Sequence, residues 1–188
     1  MIIFDLDGTL ADCEHRRHFV DPKKNYSLTF VPPGIASNEK PFGWYTKENI
    51  RWHSNYQAFY EACDKDEPIE STIKILHTIM RDNLAHDDKH FHTEIQIWSG
   101  RCESVRARTN TWLMMKAGIT DLNILKNLKM RPIGDSTPDD VLKEKWLDEA
   151  LKEGKNVEFV FDDRPKVVRM WRRRGVFVFD VNQSGEEF

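Results

Sequence analysis

Cysteine is scarce in this chain: Cys13, Cys63 and Cys102 are the only three in 188 residues, and no two form a CxxC. An odd count without zinc-type spacing excludes a disulfide scaffold and a structural zinc site, and it fits a reducing compartment. Long apolar runs are missing too. None approaches the roughly 18 residues a membrane span requires, and MIIFDLDGTL lacks the basic stretch, apolar stretch and cleavage site of a leader, so the expected location is cytoplasmic. No sign of charge dominates, with 28 Lys+Arg against 31 Asp+Glu and a net charge of -3. That balance argues against a protein that coats duplex nucleic acid through many phosphate contacts, while a small anionic substrate or a nucleic-acid end stays compatible. Repeats and low-complexity tracts are absent. What remains is a chain 39% hydrophobic and 31% charged. At this length roughly 70% of the unfolded surface can be buried, which predicts one soluble domain with an insertion.

Apolar runs alternate with helical patterns along most of the chain. Ile2 to Phe4 reads as a strand cut off by DLDGTL. A helix is predicted to open at Pro68, with Ile69, Ile73, Leu76, Ile79, Met80 and Leu84 at helical spacing. Thr93 to Trp98 reads as a strand ending in Ser99-Gly100-Arg101, followed by a helix capped by Ser104 and closed by Gly118. The stretch from Leu122 is ambiguous, with a short strand near Leu128 to Met130. Asp139 to Lys152 is a predicted helix, Val157 to Phe161 a strand, Pro165 the start of another helix, and Val176 to Val181 the last strand. This succession implies an α/β fold, a doubly wound Rossmann-like parallel sheet whose ligands bind at the carboxyl ends of the strands.

One segment breaks the rhythm. Between Val20 and Asp64 lie Pro22, Pro32, Pro33, Pro41, Gly34 and Gly43, all four tyrosines, Trp44 and Trp52, with a predicted helix from about Asn49 to Cys63. The expected organisation is a core of residues 1–19 and 65–188 with a small inserted cap at 20–64, because long loops in compact domains usually serve as lids or binding loops.

Three predicted strand ends carry polar clusters: Asp5-x-Asp7-Gly8-Thr9-Leu10, Ser99-Gly100-Arg101 and Asp162-Asp163-Arg164. A right-handed parallel sheet can bring those ends into one crevice, placing the carboxylates of Asp5, Asp7, Asp162 and Asp163 together. So much like charge is costly without a cation, and oxygen-only ligands suit Mg²⁺. The chemistry such a site supports is phosphoryl transfer. Asp5 would attack phosphorus, and Asp7 would serve as acid and base while Gly8 permits the tight turn between them. Ser99, Gly100 and a lysine, most naturally Lys143, would stabilise the transferring group.

These residues carry a resemblance. Asp5 to Leu10 resembles the nucleophile motif of the haloacid dehalogenase (HAD) superfamily of Mg²⁺-dependent phosphatases, and Ser99, Lys143 and Asp162-Asp163 resemble its other three motifs in the same order. IWSGR, DDVLKEKW and VFDDRPKVVRMWRRRGV further resemble the phosphatase domain of phage-type polynucleotide kinase-phosphatases. For a phage-encoded protein the compartment would be the host cytoplasm. The resemblance implies removal of 3′-phosphates from DNA or RNA ends and nucleotides. It puts the nucleophile at Asp5 and the acid/base at Asp7, substrate arginines at Arg16 and Arg101, an aspartate-lysine pair at Asp139 and Lys143, and metal carboxylates at Asp162 and Asp163, with Gly8 and Thr9 beside the phosphate. No GxxxxGK[ST] occurs, so the kinase half of the bifunctional enzymes is absent from this sequence.

Plainer readings stand beside these. Either arginine could simply pair with a neighbouring carboxylate, and the sequence does not separate Asp162 from Asp163 as direct ligand. Cap aromatics can stack bases or merely give a small cap its core. His86, His90 and His92 read as a solvated loop, and the basic helix of Lys166, Arg169 and Arg172 to Arg174 reads equally as a phosphate track or a solvated face. Two rival functions stay open: a (deoxy)nucleotide 5′-monophosphatase, and a catalytically silent nucleic-acid-end binding module. Oligomeric state is not encoded in any motif.

Overall fold

The structure, a computed structural model, describes residues 1–21, 54–85, 92–182 and 185. Its centre is a five-stranded, wholly parallel sheet of β1 (Ile2–Phe4), β4 (Ile95–Cys102), β5 (Lys129–Arg131), β6 (Phe159–Asp162) and β7 (Phe177–Asp180), in the order β5-β4-β1-β6-β7. A two-residue pair, β2 (Ala11–Asp12) and β3 (Glu67–Pro68), runs antiparallel beside it. The helices are α1 (Tyr56–Glu61), α2 (Glu70–Ala85), α3 (Arg106–Met115), α4 (Leu122–Lys126), α5 (Asp139–Lys152) and α6 (Pro165–Arg173).

Side-chain alternation on β1 sorts the core into two layers. Ile2 and Phe4 join Leu76, Trp112, Leu113, Ile124 and Leu125, and so face α2, α3 and α4. Ile3 joins Trp98, Trp146, Leu147, Val167 and Trp171, and so faces α5 and α6. A sheet covered on both faces is the doubly wound architecture that the alternating pattern predicts. Chain order places β4 and β5 on one side of β1 and β6 and β7 on the other, so the topology switches direction at β1. A crevice at the carboxyl end of that strand follows.

Several elements depart from expectation. Pro68 pairs with Ala11 in β3, and α2 begins only at Glu70. β4 does not stop at Trp98; it runs through Ser99-Gly100-Arg101 to Cys102, with an irregular register against β5 over those residues. The ambiguous stretch after Asp121 is a helix, capped when the Asp121 side chain accepts the Asn123 N–H at 2.7 Å. Within the expected cap, residues 22–53 lie outside the described residues, as do His86 and His90. Its end packs inward: Cys63 is fully buried in the layer beneath α2 and α3, with Tyr60 against it. On α6, Arg173 and Arg174 pair with Glu144, and Arg174 also with Asp148, so this part of the basic helix is spent on α5.

Trp98 sits between Trp146 and Trp171, at centroid distances of 5.9 and 5.8 Å, and its indole N–H donates to Gln96 Oε1 at 2.7 Å. Trp98→Ala would leave a cavity at the junction of β4, α5 and α6 and is expected to cost about 3–5 kcal/mol. Urea unfolding followed by circular dichroism measures it, and a loss under about 1 kcal/mol would mean the layer collapses around the gap.

Candidate active site

β1 and β6 run in register with Phe4 opposite Phe161, so Asp5 and Asp162 leave the sheet side by side. The Asp5 N–H donates to the Phe161 carbonyl at 2.9 Å. Asp5, Asp162 and Asp163 are all buried, and one carboxylate oxygen from each lies within 4.8 Å of the others. The buried Lys143, from the second turn of α5, donates to Asp5 Oδ1 at 2.7 Å and to Asp162 Oδ2 at 2.8 Å. Asp162 also accepts the Trp171 indole N–H at 3.2 Å and the Arg164 backbone N–H at 3.1 Å, while the Thr9 hydroxyl donates to Asp163 at 3.4 Å.

One ammonium against three carboxylates leaves a surplus of negative charge. Burial, with added repulsion from Asp5 and Asp162, pushes the Asp163 carboxyl up to about 9. Burial likewise raises Asp5 to about 6 despite the Lys143 charge beside it. Burial alone would depress Lys143, but Asp162 and Asp5 outweigh it and hold the lysine protonated. Three buried oxygen donors, two of them with raised proton affinity, match a hard divalent cation such as Mg²⁺.

Asp7 has the opposite environment. Its Oδ1 accepts from Arg16 Nη2 at 2.6 Å and from Arg101 Nε and Nη2 at 2.9 and 2.5 Å. Burial would raise this carboxyl, but the charges of Arg101 and Arg16 outweigh it and hold it down at about 2. Both guanidinium groups also grip Asp66, which is fully buried: Arg16 by Nε and Nη2, each at 2.7 Å, and Arg101 by Nη2 at 2.5 Å. Arg16 further donates to the Phe59 carbonyl and lies over the Phe59 ring at 4.1 Å. One donor, Arg101 Nη1, is buried with no hydrogen-bond partner among the described residues.

Two expectations are therefore corrected. Asp7 does not add a fourth carboxylate to the acidic cluster, because two arginines turn it away. Arg16 and Arg101 do not face the cleft; they are buried ion-pair partners of Asp7 and Asp66.

The cleft itself, about 660 Å³, is lined by Asp5, Asp7, Gly100, Asp139, Lys143 and Asp163 among the predicted residues. Gly8, Thr9, Ser99 and Asp162 stand behind it. Gly8 has φ +84°, and a Cβ there would meet the Asp163 carboxylate at 1.9 Å, so this turn requires glycine. Ser99 is buried and its hydroxyl accepts the Arg101 N–H at 3.2 Å. Gly100 is equally constrained, since a Cβ would lie 2.8 Å from Asp139 Oδ1. Asp139 is clamped by Arg131 Nη2 on one oxygen and Arg164 Nη1 on the other. Arg131 also donates to the carbonyls of Gly100 at 3.0 Å and Thr137 at 2.5 Å.

Asp66 and Arg131 escaped the sequence reading. Asp66 lies in the charged run DKDEP, where nothing marks it as buried. Arg131 did carry a signal, its place at the end of a short apolar run before Pro132.

Removing Asp66 leaves two buried guanidinium groups to share Asp7 alone, so Asp66→Ala is expected to cost about 3–5 kcal/mol in chemical denaturation; an unchanged midpoint would contradict the network. A second outcome concerns pH. A folded carboxyl raised to about 9 binds more protons than its unfolded counterpart, so in chelator its contribution lowers stability progressively from about pH 4 to pH 9. Added Mg²⁺ should oppose that loss most strongly at the alkaline end. Thermal melts with and without Mg²⁺ across this range test it, and a stabilisation independent of pH would refute the cation site.

Comparison with known proteins bears on the fold and the family. A chain in the structure of the Pnkp1/Rnl/Hen1 RNA repair complex superimposes with a TM-score of 0.58 at 23% identity, covering 95% of this chain and 41% of that one. A second structure of a Pnkp1/Rnl/Hen1 complex gives 0.56 at 23% identity, with 95% and 44% covered; at such identity both speak for the fold alone. A putative bifunctional polynucleotide kinase/RNA ligase of Autographa californica nuclear polyhedrosis virus is 29% identical over 133 residues, which are 70% of this chain and 18% of the viral protein. The chain thus spans under half the length of each of these relatives. Asp5 to Leu10 precedes the segment matched by the family description, and the contacts of Lys143 and Asp163 tie it to that segment. With residues 48–186 matching the polynucleotide kinase PNKP phosphatase domain, the chain belongs to that HAD-type phosphatase-domain family.

Proposed function

We propose that this chain is a Mg²⁺-dependent phosphomonoesterase that works through an aspartyl-phosphate on Asp5 and releases 3′-phosphate from polynucleotide ends or nucleotides. The observation that carries this reading is the buried triad of Asp5, Asp162 and Asp163 bridged by Lys143 at the switch point of the sheet. Asp5 and Asp163 face the cleft and Asp162 sits behind them, so Asp163 is the better candidate for direct contact with the cation, Asp162 for orienting it. When bound, the cation would neutralise charge on the phosphate and on the attacking carboxylate.

The protein's own groups do the rest. Lys143 holds one Asp5 oxygen, which leaves the other to attack phosphorus in line as the bond to the leaving oxygen breaks. Lys143 and the backbone N–H groups at the Ser99-Gly100 bulge bear on the negative charge that develops. Asp7 is ionised in the free protein. An arriving phosphate dianion adds like charge beside it and raises its proton affinity, so it can deliver a proton to the leaving alkoxide. In the second step it takes a proton from the water that hydrolyses the aspartyl-phosphate and frees Asp5. Arg16 and Arg101 fix its position, and Asp66 fixes theirs. The cap of residues 20–64 supplies one wall through α1. Names that join a polynucleotide kinase to an RNA ligase, and a solved RNA repair complex, support a nucleic-acid end as substrate.

Asp5→Asn should abolish phosphate release while leaving the unfolding transition nearly unchanged; undiminished turnover would rule out the covalent path. Release should likewise vanish in chelator and return with Mg²⁺. A 3′-phosphorylated oligonucleotide, a 3′-mononucleotide and a 5′-mononucleotide compared at one salt concentration decide the leaving group. Cleavage of the 5′-nucleotide alone would establish the nucleotidase reading instead, and no turnover of any would leave a binding module.

A further inference from the structure

The cleft has two unlike sides. The chemistry lies on the strand ends, whereas the opposite wall is made by α1, which presents Tyr56, Phe59 and Tyr60. These rings have different jobs. Phe59 is covered on one face by the Arg16 guanidinium. Tyr60 packs against the core, its hydroxyl donating to the Gly100 carbonyl at 3.4 Å beside the catalytic bulge. Tyr56 lies one helical turn further out on the same face, its centroid 6.1 Å from that of Tyr60. It lines the cleft yet is 52% exposed, which is unusual for a ring next to a buried, charge-dense site. Asn55 fixes its backbone by accepting the Ala58 N–H at 3.0 Å as the N-cap of α1.

The geometry points to Tyr56 as a stacking platform for an unpaired base of the substrate, a specificity-determining contact that rests on the phosphatase reading above and names how its leaving group is held. A ring with a free face, held on a capped helix and placed beyond the reacting atoms by one turn, offers a π-surface that any base can use without hydrogen-bond readout. Tyr60 ties this wall to Gly100, so the platform has a fixed position relative to Asp5 and Lys143. A base stacked on it cannot remain paired and stacked in a duplex, and the site would therefore prefer frayed or single-stranded ends.

Two readouts test this. In the first, kcat/KM is compared between a 3′-phosphorylated oligonucleotide and the same strand with an abasic 3′-terminal residue. The wild type is expected to favour the base-bearing end by about ten-fold, the size of an ordinary base-ring stack. Tyr56→Ala should erase that preference through KM rather than kcat, and Tyr56→Phe should restore it. In the second, a strand with 2-aminopurine at its 3′-phosphorylated end is titrated into the Asp5→Asn protein with Mg²⁺. Quenching that disappears in Asp5→Asn/Tyr56→Ala supports the stack without depending on turnover. Turnover with no base preference and no Tyr56-dependent quenching overturns the stack and leaves the phosphatase reading intact. Tyr56-dependent quenching with a wild type that hydrolyses neither strand overturns the phosphatase reading and keeps the stack.

Discussion

A single ammonium between two buried carboxylates holds the carboxyl ends of β1 and β6 to α5. Lys143 reaches from α5 to Asp5 and Asp162, which belong to adjacent strands, so its position depends on β1, β6 and α5 all being correctly docked. Burying any of these charges alone would cost several kcal/mol, and the cluster is tolerable only because each member has a partner. Balance is still incomplete, since among the described residues Asp163 has no cationic neighbour beyond Lys143 and is pushed to about 9. A site that stays under electrostatic tension until a cation arrives is poised to bind one.

Two aspartates separated by one residue meet opposite fields. Asp5 is raised to about 6 and Asp7 lowered to about 2, although they share a turn. The split comes from what surrounds each carboxyl: Asp5 sits in the acidic cluster, while Asp7 is paired with Arg16 and Arg101. Divergent proton affinities in paired carboxylates are how one site separates a nucleophile from a proton carrier. Asp66 extends the scheme by one shell, because it fixes the two arginines whose charge determines the Asp7 value.

Much of this was readable in advance, for reasons that differ by residue. Strands such as Ile2–Phe4 and helices such as α5 are announced by local periodicity, which depends only on neighbours in sequence. Asp5, Asp162 and Asp163 were readable because strand ends in a parallel sheet must converge, whatever the remaining chain does. Pro68 misled because a proline fits a first helical turn and a short edge pairing equally well, and the choice was made by Ala11 across the gap. The strand reads as ending in Ser99-Gly100-Arg101, yet β5 alongside keeps that run in the sheet as a bulge through to Cys102. Asp66 was illegible in principle: its burial is decided by Arg16 and Arg101, fifty and thirty-five positions away. Arg16 and Arg101 carried the converse problem, since an arginine that grips an aspartate and one that grips a phosphate have the same sequence signature.

The arrangement divides labour along the cleft. Groups that must be placed to within a fraction of an ångström sit on strand ends and on α5, where both faces of the sheet constrain them. Groups that only need to offer surface sit on α1, at the end of the insertion, where the backbone is held by the Asn55 cap, by Arg16 and Arg108 donating to the Phe59 and Glu61 carbonyls, and by the Tyr60 hydroxyl. The described end of the insertion meets the rest of the fold at Gly100, at the Arg16–Phe59 contact, at Arg108, which donates to the Glu61 carbonyl, and in the buried layer through Cys63. Gly100 lies between this wall and the strand ends. Its carbonyl receives Arg131 from one side and Tyr60 from the other, and its missing side chain lets Asp139 approach. Any larger residue there would push on the Asp139 carboxylate, which Arg131 and Arg164 clamp, so the glycine answers to packing rather than to backbone conformation.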